Sequence, residues 1–255
     1  MTLKLAPMDN TWKDYKISEA GILYNEEPTG YKAIFRDDNL ISMVKNGYRL
    51  FPNELAVEIG DNISSSLGFE KFEEHYNLRN TRIYATYTAN ESIAIDNRDK
   101  VHMGFAVRNS IDGSMSFGVS GFTFREVCSN GVVMGQKTLA ELRQRHTLAL
   151  KTEIGYIKGV IGGIITESQA VINDFRKLTQ LKLNEDIAKR ITKRTPKKYI
   201  PKYISVEKGE LQDFQPVNLW DCYNDISAEI WHADSDIGRR INQIQELHRI
   251  MDIYY

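Results

Sequence analysis

The chain has 255 residues, and its 33 lysines and arginines against 34 aspartates and glutamates give a formal net charge of −1. An apolar fraction of 42% is ordinary for a globular protein, and a chain this long can bury a core without disulfide bonds. The composition therefore excludes a mostly disordered protein. Two cysteines, Cys128 and Cys222, exclude a disulfide framework and favour a reducing compartment.

No segment of the sequence has the length and apolarity of a membrane span. Residues 1–8 lack the apolar stretch of a signal peptide. The most apolar stretch, 154–165, is interrupted by glycines and is shorter than the roughly 20 residues that cross a bilayer. We therefore expect a cytoplasmic protein that makes no contact with a membrane.

The first part of the chain carries two strand patterns and one helix pattern. Residues 1–30 show no clear periodicity and are predicted to be an irregular lead-in. Short strands are predicted over 31–36 and 40–44, with a turn between them. Apolar residues then recur at four-residue spacing, which predicts a helix that begins near Asn53 and ends at Gly68.

The middle of the chain changes to the two-residue period of β-strands. Strands are predicted over 82–88, 92–96, 101–108 and 114–125. Asp112-Gly113 lies between two alternating runs and is a strong signal for a hairpin, while Asn90-Glu91 suits another turn. Successive hairpins indicate an antiparallel sheet.

Helical periods dominate the remainder. Helices are predicted over 152–181, 184–195, 218–231 and 237–254, with a loop over 199–215. A helical period also starts at Gln136 and places Leu142 and His146 on one face, whereas Gly159 and Gly162 are interpreted as marks of close helix packing. Strands followed by helices are typical of the α+β class, here an antiparallel sheet of successive hairpins followed by packed helices.

This pattern predicts four segments. They are a lead-in over 1–30, an α+β core domain over 31–181, a basic segment and loop over 182–216, and C-terminal helices that pack on the core over 217–255.

Motifs of common catalytic or cofactor sites are absent from the sequence. The glycines around Gly162 lack the lysine and the serine or threonine of a P-loop, and the histidines and cysteines are widely separated. We therefore predict no cofactor, no metal site and no catalytic residue. One alternative stays open, in which Cys128, His102 and His146 converge in an enzyme of unrecognised type.

Positive charge is concentrated in two places. The segment 182–202 has eight basic and two acidic residues, with Tyr199 and Tyr203 in or beside it. Strand-end arginines at 108 and 125, together with arginines on the helix predicted after Gln136, would form a positively charged groove. Such patterns neutralise phosphates and can offer aromatic faces for stacking, although separate surface charges and a solvated helix end are the alternative interpretation.

Several of these residues also belong to longer motifs. They are VRNSIDG at 107–113, FREVCSNG at 124–131, RHT at 145–147, and LWDCYNDIS at 219–227 followed by His232. Together they resemble a phage- and plasmid-associated family of unknown function, domain of unknown function 932, over about residues 30 to 250. The resemblance implies a role in DNA metabolism in the cytoplasm of a host cell. In outline, hairpins followed by helices are similar to the single-strand annealing proteins of the Rad52 and Red-beta type.

We therefore expect a protein that binds single-stranded DNA and promotes annealing or recombination as a homo-oligomer, without nucleotide hydrolysis, beside host or phage replication proteins. The predicted nucleic-acid-binding residues are Arg108, Arg125, Lys137, Arg143, Arg145, Lys189, Arg190, Lys193, Arg194, Lys197 and Lys198. The strand aromatics that could stack on bases are Tyr84, Tyr87, Phe105 and Phe117, for which core packing is the alternative. A protein-interaction or anti-host-defence factor is the alternative function, besides the enzyme.

Overall fold

The structure is a computed structural model. It describes residues 4–12, 15–76, 81–125, 130–132, 141–151, 154–233 and 237–252.

The strands, in chain order, are β1 (Lys4–Trp12), β2 (Tyr15–Tyr24), β3 (Glu27–Arg36), β4 (Asn39–Lys45), β5 (Phe69–Tyr76), β6 (Arg82–Ala94), β7 (Lys100–Ser110), β8 (Phe117–Arg125), β9 (Asn130–Val132), β10 (Glu141–Gln144), β11 (Ile204–Glu207) and β12 (Glu210–Phe214). The helices are α1 (Asn53–Leu67), α2 (Ile154–Leu178), α3 (Glu185–Arg194), α4 (Leu219–Trp231) and α5 (Ile237–Ile250), with a 3₁₀ turn over Lys197–Tyr199. The mixed content of antiparallel strands and helices confirms the α+β class.

The strands form three antiparallel sheets. A four-stranded sheet has the order β1-β2-β3-β4, and a six-stranded sheet has the order β10-β8-β7-β6-β5, with β9 paired to β8. The strands β11 and β12 form a separate hairpin. As a result β4 and β10 each lie at the edge of a sheet.

Two hydrophobic cores lie against the six-stranded sheet. The first core is formed by α1, the beginning of α2 and the side chains of β6, β7 and β8 that face them, among which Tyr87, Phe105 and Phe117 are fully buried. The second core is formed by the end of α2 with α3, α4 and α5, and it includes Val101 and Met103 from the beginning of β7. None of the described helices is long and apolar enough to cross a membrane.

Local signals account for the helix ends that the sequence predicted. Helix α1 follows Pro52 and ends at Gly68, whose left-handed φ of 71° suits glycine. The side chain of Asn184 accepts a hydrogen bond from the Ile187 N–H at the start of α3, and Asn218 caps α4 in the same way.

The prediction of an irregular lead-in over 1–30 is wrong, because β1 and β2 lie there and β3 begins there. The turn between β2 and β3 places Asn25 and Glu26 at φ 50° and 68°. Two consecutive left-handed residues match the twist of a hairpin. Glutamate is uncommon in that conformation, and the turn therefore carried no clear signal.

Two other turns were mispredicted. No hairpin forms at Asn90-Glu91, because β6 continues through that point with an irregular register between Thr88 and Ser92 and pairs with β7 on both sides of it. The loop predicted over 199–215 instead contains the β11–β12 hairpin, whose turn residues Lys208 and Gly209 have φ 51° and 85°.

Three strands of the six-stranded sheet, β5, β9 and β10, were also missed. Strand β5 is rich in charged residues, which edge strands tolerate and strand patterns do not reveal. The helix predicted from Gln136 is wrong where the chain is described, because Glu141–Gln144 forms β10 and pairs with β8. Leu142 is buried in the first core and the neighbouring Arg143 is exposed, the alternation expected of a strand.

The glycines of α2 do not mark close packing. A Cβ added to Gly155, Gly159, Gly162 or Gly163 would meet no atom within 4 Å. These glycines therefore lie on an open side of the helix.

Candidate nucleic-acid interface

A cleft of about 980 Å³ lies where the two large sheets meet. One wall is the edge strand β4 and the residues that follow it. The other wall is β10 and the residues that follow it, and the turn between β7 and β8 forms the floor. The cleft therefore lies between two sheet edges that are far apart in sequence.

The floor of the cleft is a hydrogen-bonded turn. The Ser110 hydroxyl accepts a hydrogen bond from the Met115 N–H at 2.9 Å and donates one to the Met115 carbonyl at 2.8 Å. The Asp112 carboxylate accepts from the N–H of Ser114 at 2.9 Å, and these bonds hold the pKa of Asp112 below its ordinary value against the opposing effect of burial. Gly113 has a φ of 74°, and a Cβ there would lie 3.2 Å from a Val44 methyl carbon.

Hydrogen bonds tie the β4 wall to this floor. The Ser42 hydroxyl donates to the Asp112 carbonyl at 2.7 Å, and the Tyr48 hydroxyl donates to the Ser110 carbonyl at 3.1 Å. Burial and the charge of Asp112 raise the pKa of Tyr48, so its hydroxyl stays protonated and keeps donating. The motif at 107–113 therefore builds the joint between the two sheets.

His146 extends this packing from the other wall. Its ring stacks on Tyr48 with centroids 4.9 Å apart and an interplanar angle of 4°. Its Nδ1 lies 3.2 Å from the Arg49 carbonyl oxygen, which can only accept, so Nδ1 carries the proton. Burial lowers the pKa of His146, and the ring is neutral at pH 7. We assign His146 a packing role in the wall.

Three exposed cations line the cleft, namely Lys45 on one wall and Arg143 and Arg145 on the other. Arg143 Nε donates to the Ser116 hydroxyl at 3.0 Å. Within the part of the chain that the structure describes, no carboxylate lies at ion-pair distance from any of the three. Their positive charge is therefore available to an anion.

Arg108 lies on the same face of the sheet as Arg143, because Gly118 on β8 is directly opposite both of them. The Arg108 side chain lies against Gly118, where an added Cβ would be 2.7 Å from its Nε. Burial lowers the pKa of Arg108, its interaction with Tyr84 opposes this effect, and the charge of Arg143 lowers the pKa further. Repulsion between the two guanidinium groups favours the binding of an anion beside them.

The structure brings part of the predicted groove together. Arg143 and Arg145 line one cleft, with Arg108 across Gly118 from Arg143, but the first two lie on and after a strand, not on a helix as predicted. Arg125 pairs with Val101 at the opposite end of the β7–β8 ladder, seven residues and about 24 Å along the strand from Arg108. Lys137 and Cys128 lie outside the described residues.

The basic segment lies at the other end of the molecule, beside the second core, and much of its charge is paired. Arg190 forms two hydrogen bonds of 2.7 Å with Asp252. Arg194 lies 2.8 Å from Glu246, and Lys189 lies 2.6 Å from Glu185. Lys198 lies over the ring of Tyr199, 4.6 Å from its centroid.

Lys193 and Lys197 remain exposed, and none of the described carboxylates lies at ion-pair distance from them. Tyr199 is buried and Tyr203 donates its hydroxyl to Asp225 at 2.9 Å. The tyrosines of the basic segment are thus used in packing and hydrogen bonding. Because its arginines pair with carboxylates of the same protein, the segment is better described as a solvated helix than as a second continuous surface for phosphates.

The four strand aromatics predicted to stack on bases are all buried. Tyr87, Phe105 and Phe117 are 0% exposed and belong to the first core, and Tyr84 is 6% exposed. Core packing, the alternative interpretation of these four aromatics, is therefore confirmed.

The structure does not bring together the two histidines of the enzyme alternative, His102 and His146. His102 lies eight residues before Ser110 on β7, about 27 Å along the strand from the cleft that contains His146. The Nδ1 of His102 is 2.8 Å from the Ala89 carbonyl oxygen. Among the described residues, no group of three or more histidine, cysteine and acidic side chains could hold a metal ion.

The remaining motif residues have structural roles. The buried Asn109 side chain donates to the Phe51 carbonyl at 2.7 Å and to the Asn53 side chain at 3.0 Å, and thereby fixes β7 to the start of α1. In the C-terminal motif, Asn224 donates to the Trp220 carbonyl and Ser227 donates to the Asn224 carbonyl within α4.

The comparisons with known proteins identify a family without an assigned activity. A family model described as a domain of unknown function (DUF932) matches residues 40–233, which include β4, the floor and the β10 wall of the cleft. No curated protein and no solved structure matches the chain. The likeness in outline to annealing proteins thus stays a prediction.

Proposed function

Since the chain belongs to the DUF932 family, whose description names no activity, we propose from the cleft alone that it binds single-stranded DNA and promotes strand annealing without nucleotide hydrolysis. The observation that carries the proposal is the set of three cations, Lys45, Arg143 and Arg145, that line one cleft without carboxylate partners in the described part of the chain. Sequence-independent binding needs positive charge along the backbone and apolar surface for the bases.

The cleft provides both. Its cations line the two walls, so a phosphate backbone that passes between them meets positive charge on each side. Met43 is 65% exposed on the β4 wall, and Met115 and Tyr48 add apolar surface to the interior. The carboxylate of Asp112 is held at the floor by its bonds to the turn, below the cations.

Annealing requires that two complementary strands meet with their bases free to pair. Binding through the phosphates leaves the base edges accessible. The reaction consumes no nucleotide, in agreement with a sequence without a P-loop. A homo-oligomer would present several clefts to one strand, which would raise the apparent affinity.

The test compares a charge reversal in the cleft with an equal reversal elsewhere. The variant R143E/R145E should lose most of its affinity for a labelled strand of about 30 nucleotides, measured by fluorescence anisotropy at low salt, because each phosphate contact contributes electrostatically. The control K100E/K158E changes the net charge equally, at exposed lysines on the start of β7 and on α2, and should bind almost as the unaltered protein does.

Annealing is then measured as the rate at which two complementary labelled strands form a duplex. The unaltered protein should raise that rate and R143E/R145E should not. Equal losses in both charge variants would mean that net charge and not the cleft governs binding. Absence of binding at low salt would remove nucleic acid and leave the protein-interaction alternative.

A further inference from the structure

One face of the four-stranded sheet carries exposed apolar side chains on β3 and β4, while the small Ala20 and Ala33 on that face are buried. Directly opposite residues in an antiparallel pair point to the same face, and β3 and β4 pair Tyr31 with Lys45, Ala33 with Met43, and Phe35 with Leu40. Tyr31 is 47% exposed, Leu40 is 56% exposed and Met43 is 65% exposed. We call the face formed by Tyr31, Phe35, Leu40, Met43 and Lys45 the platform.

The opposite face of the same sheet is an ordinary core. Ile17, Ile34 and Val44 are buried there against Ile111, next to the floor of the cleft. On that face Lys32 is paired with Glu19 at 2.8 Å. Burial of one face is thus sufficient to stabilise the sheet, and the sheet does not need the side chains of the platform for its stability.

The platform continues directly into the cleft. Met43 and Lys45 lie on the platform and also line the cleft. Tyr31 and Phe35 lie four residues apart on β3, about 14 Å, with the small Ala33 between them. The surface thus has an exposed tyrosine at one end, the partly buried Phe35 at the other, the buried Ala33 between them and Lys45 opposite Tyr31.

We propose that the platform stacks the unpaired bases of the strand whose phosphates occupy the cleft. This inference rests on the proposed function and names the surface that contacts the bases. Charge and apolarity together favour this occupant, because a single strand has an anionic backbone and flat apolar bases. A second copy docked face to face would bring like charges at Lys45 together and gain nothing from the neighbouring arginines.

An oligonucleotide without bases separates stacking from phosphate binding. The unaltered protein should bind an ordinary strand more tightly than an abasic strand of the same length. The variant Y31A should lose about 5- to 150-fold in affinity for the ordinary strand, the range of one base–aromatic stack, and should bind the abasic strand unchanged. Y31F keeps the ring and should bind both strands as the unaltered protein does.

The matched control is L181A, which removes a side chain that is 51% exposed between α2 and α3, away from the cleft. It should bind both strands as the unaltered protein does. Because Tyr31 is half exposed, Y31A should keep its circular dichroism spectrum, and this spectrum is recorded for every variant.

Two outcomes would overturn the platform while leaving the proposed function in place. In one outcome the unaltered protein binds ordinary and abasic strands with equal affinity, and R143E/R145E binds neither. The other is an equal loss of affinity for the ordinary and the abasic strand in Y31A. Sedimentation gives a third, since a dimer that Y31A dissociates would make the platform an interface between copies. Failure of the proposed function differs from all three, because neither strand would then bind.

Discussion

The salt dependence of binding follows from the number of cations in the cleft. Each phosphate neutralised on a single strand contributes about −0.7 to the slope of log affinity against log salt concentration. With Lys45, Arg143 and Arg145 each engaging one phosphate, the slope should be about −2, so affinity should fall about 18-fold when salt is raised fourfold.

Neutral substitutions test this count better than charge reversal does. In R143Q/R145Q only Lys45 remains, and the slope should be about −0.7, which makes the same fourfold rise in salt cost only about threefold in affinity. Anisotropy titrations at four salt concentrations give the slope directly. A slope that is equal in the variant and the unaltered protein would refute the assignment of these arginines to phosphate contacts, whatever the affinities.

Other predictions concern stability. Gly60→Ala places a Cβ against the hydroxyl oxygen of the fully buried Tyr87, and the crowding should outweigh the helical preference of alanine and reduce the free energy of unfolding by about 1–2 kcal/mol in urea titrations. Gly159→Ala, where the added Cβ meets open space, should instead increase it by up to about 1 kcal/mol; a loss there would contradict the open side of α2. Burial lowers the pKa of His248 to about 3, whereas the unfolded ring takes up a proton below its ordinary pKa of about 6.5, so stability should fall by about 1.4 kcal/mol per pH unit as pH drops from 6 to 4. The slope should be smaller in H248Q, and identical slopes would exclude His248 as the source.

Local signals explain which elements could be predicted from the sequence. Helix α1 begins after Pro52 and ends at a left-handed glycine, and both signals act within the helix itself. Asp112-Gly113 likewise makes its own turn through bonds to neighbouring residues. By contrast, Leu142 and His146 share helical spacing by coincidence. Leu142 lies on β10 and packs in the first core, whereas His146 follows β10 and stacks on Tyr48.

The candidate site depends on contacts that no local pattern contains. Lys45 follows the strand predicted over 40–44 and belongs to none of the motifs, and it lines the same cleft as Arg143 only because the turn between β7 and β8 joins two sheets. The sequence identified the arginines of one wall and the turn of the floor, but not the opposite wall. For a related reason the sequence left the strand aromatics open between base stacking and core packing, because alternation separates two faces without showing which one is covered.

The two cores share the elements that connect them. Helix α2 contributes Ile157 and Ile161 to the first core and Phe175 and Leu178 to the second, and Ile165 packs against both. Strand β7 likewise extends from one to the other. Unfolding of either of these two cores would therefore disrupt the other. A ligand held at the cleft would stabilise helices that it never touches, so the fluorescence of Trp220, buried in the second core, can report occupancy at the far end of the molecule through the melting temperature.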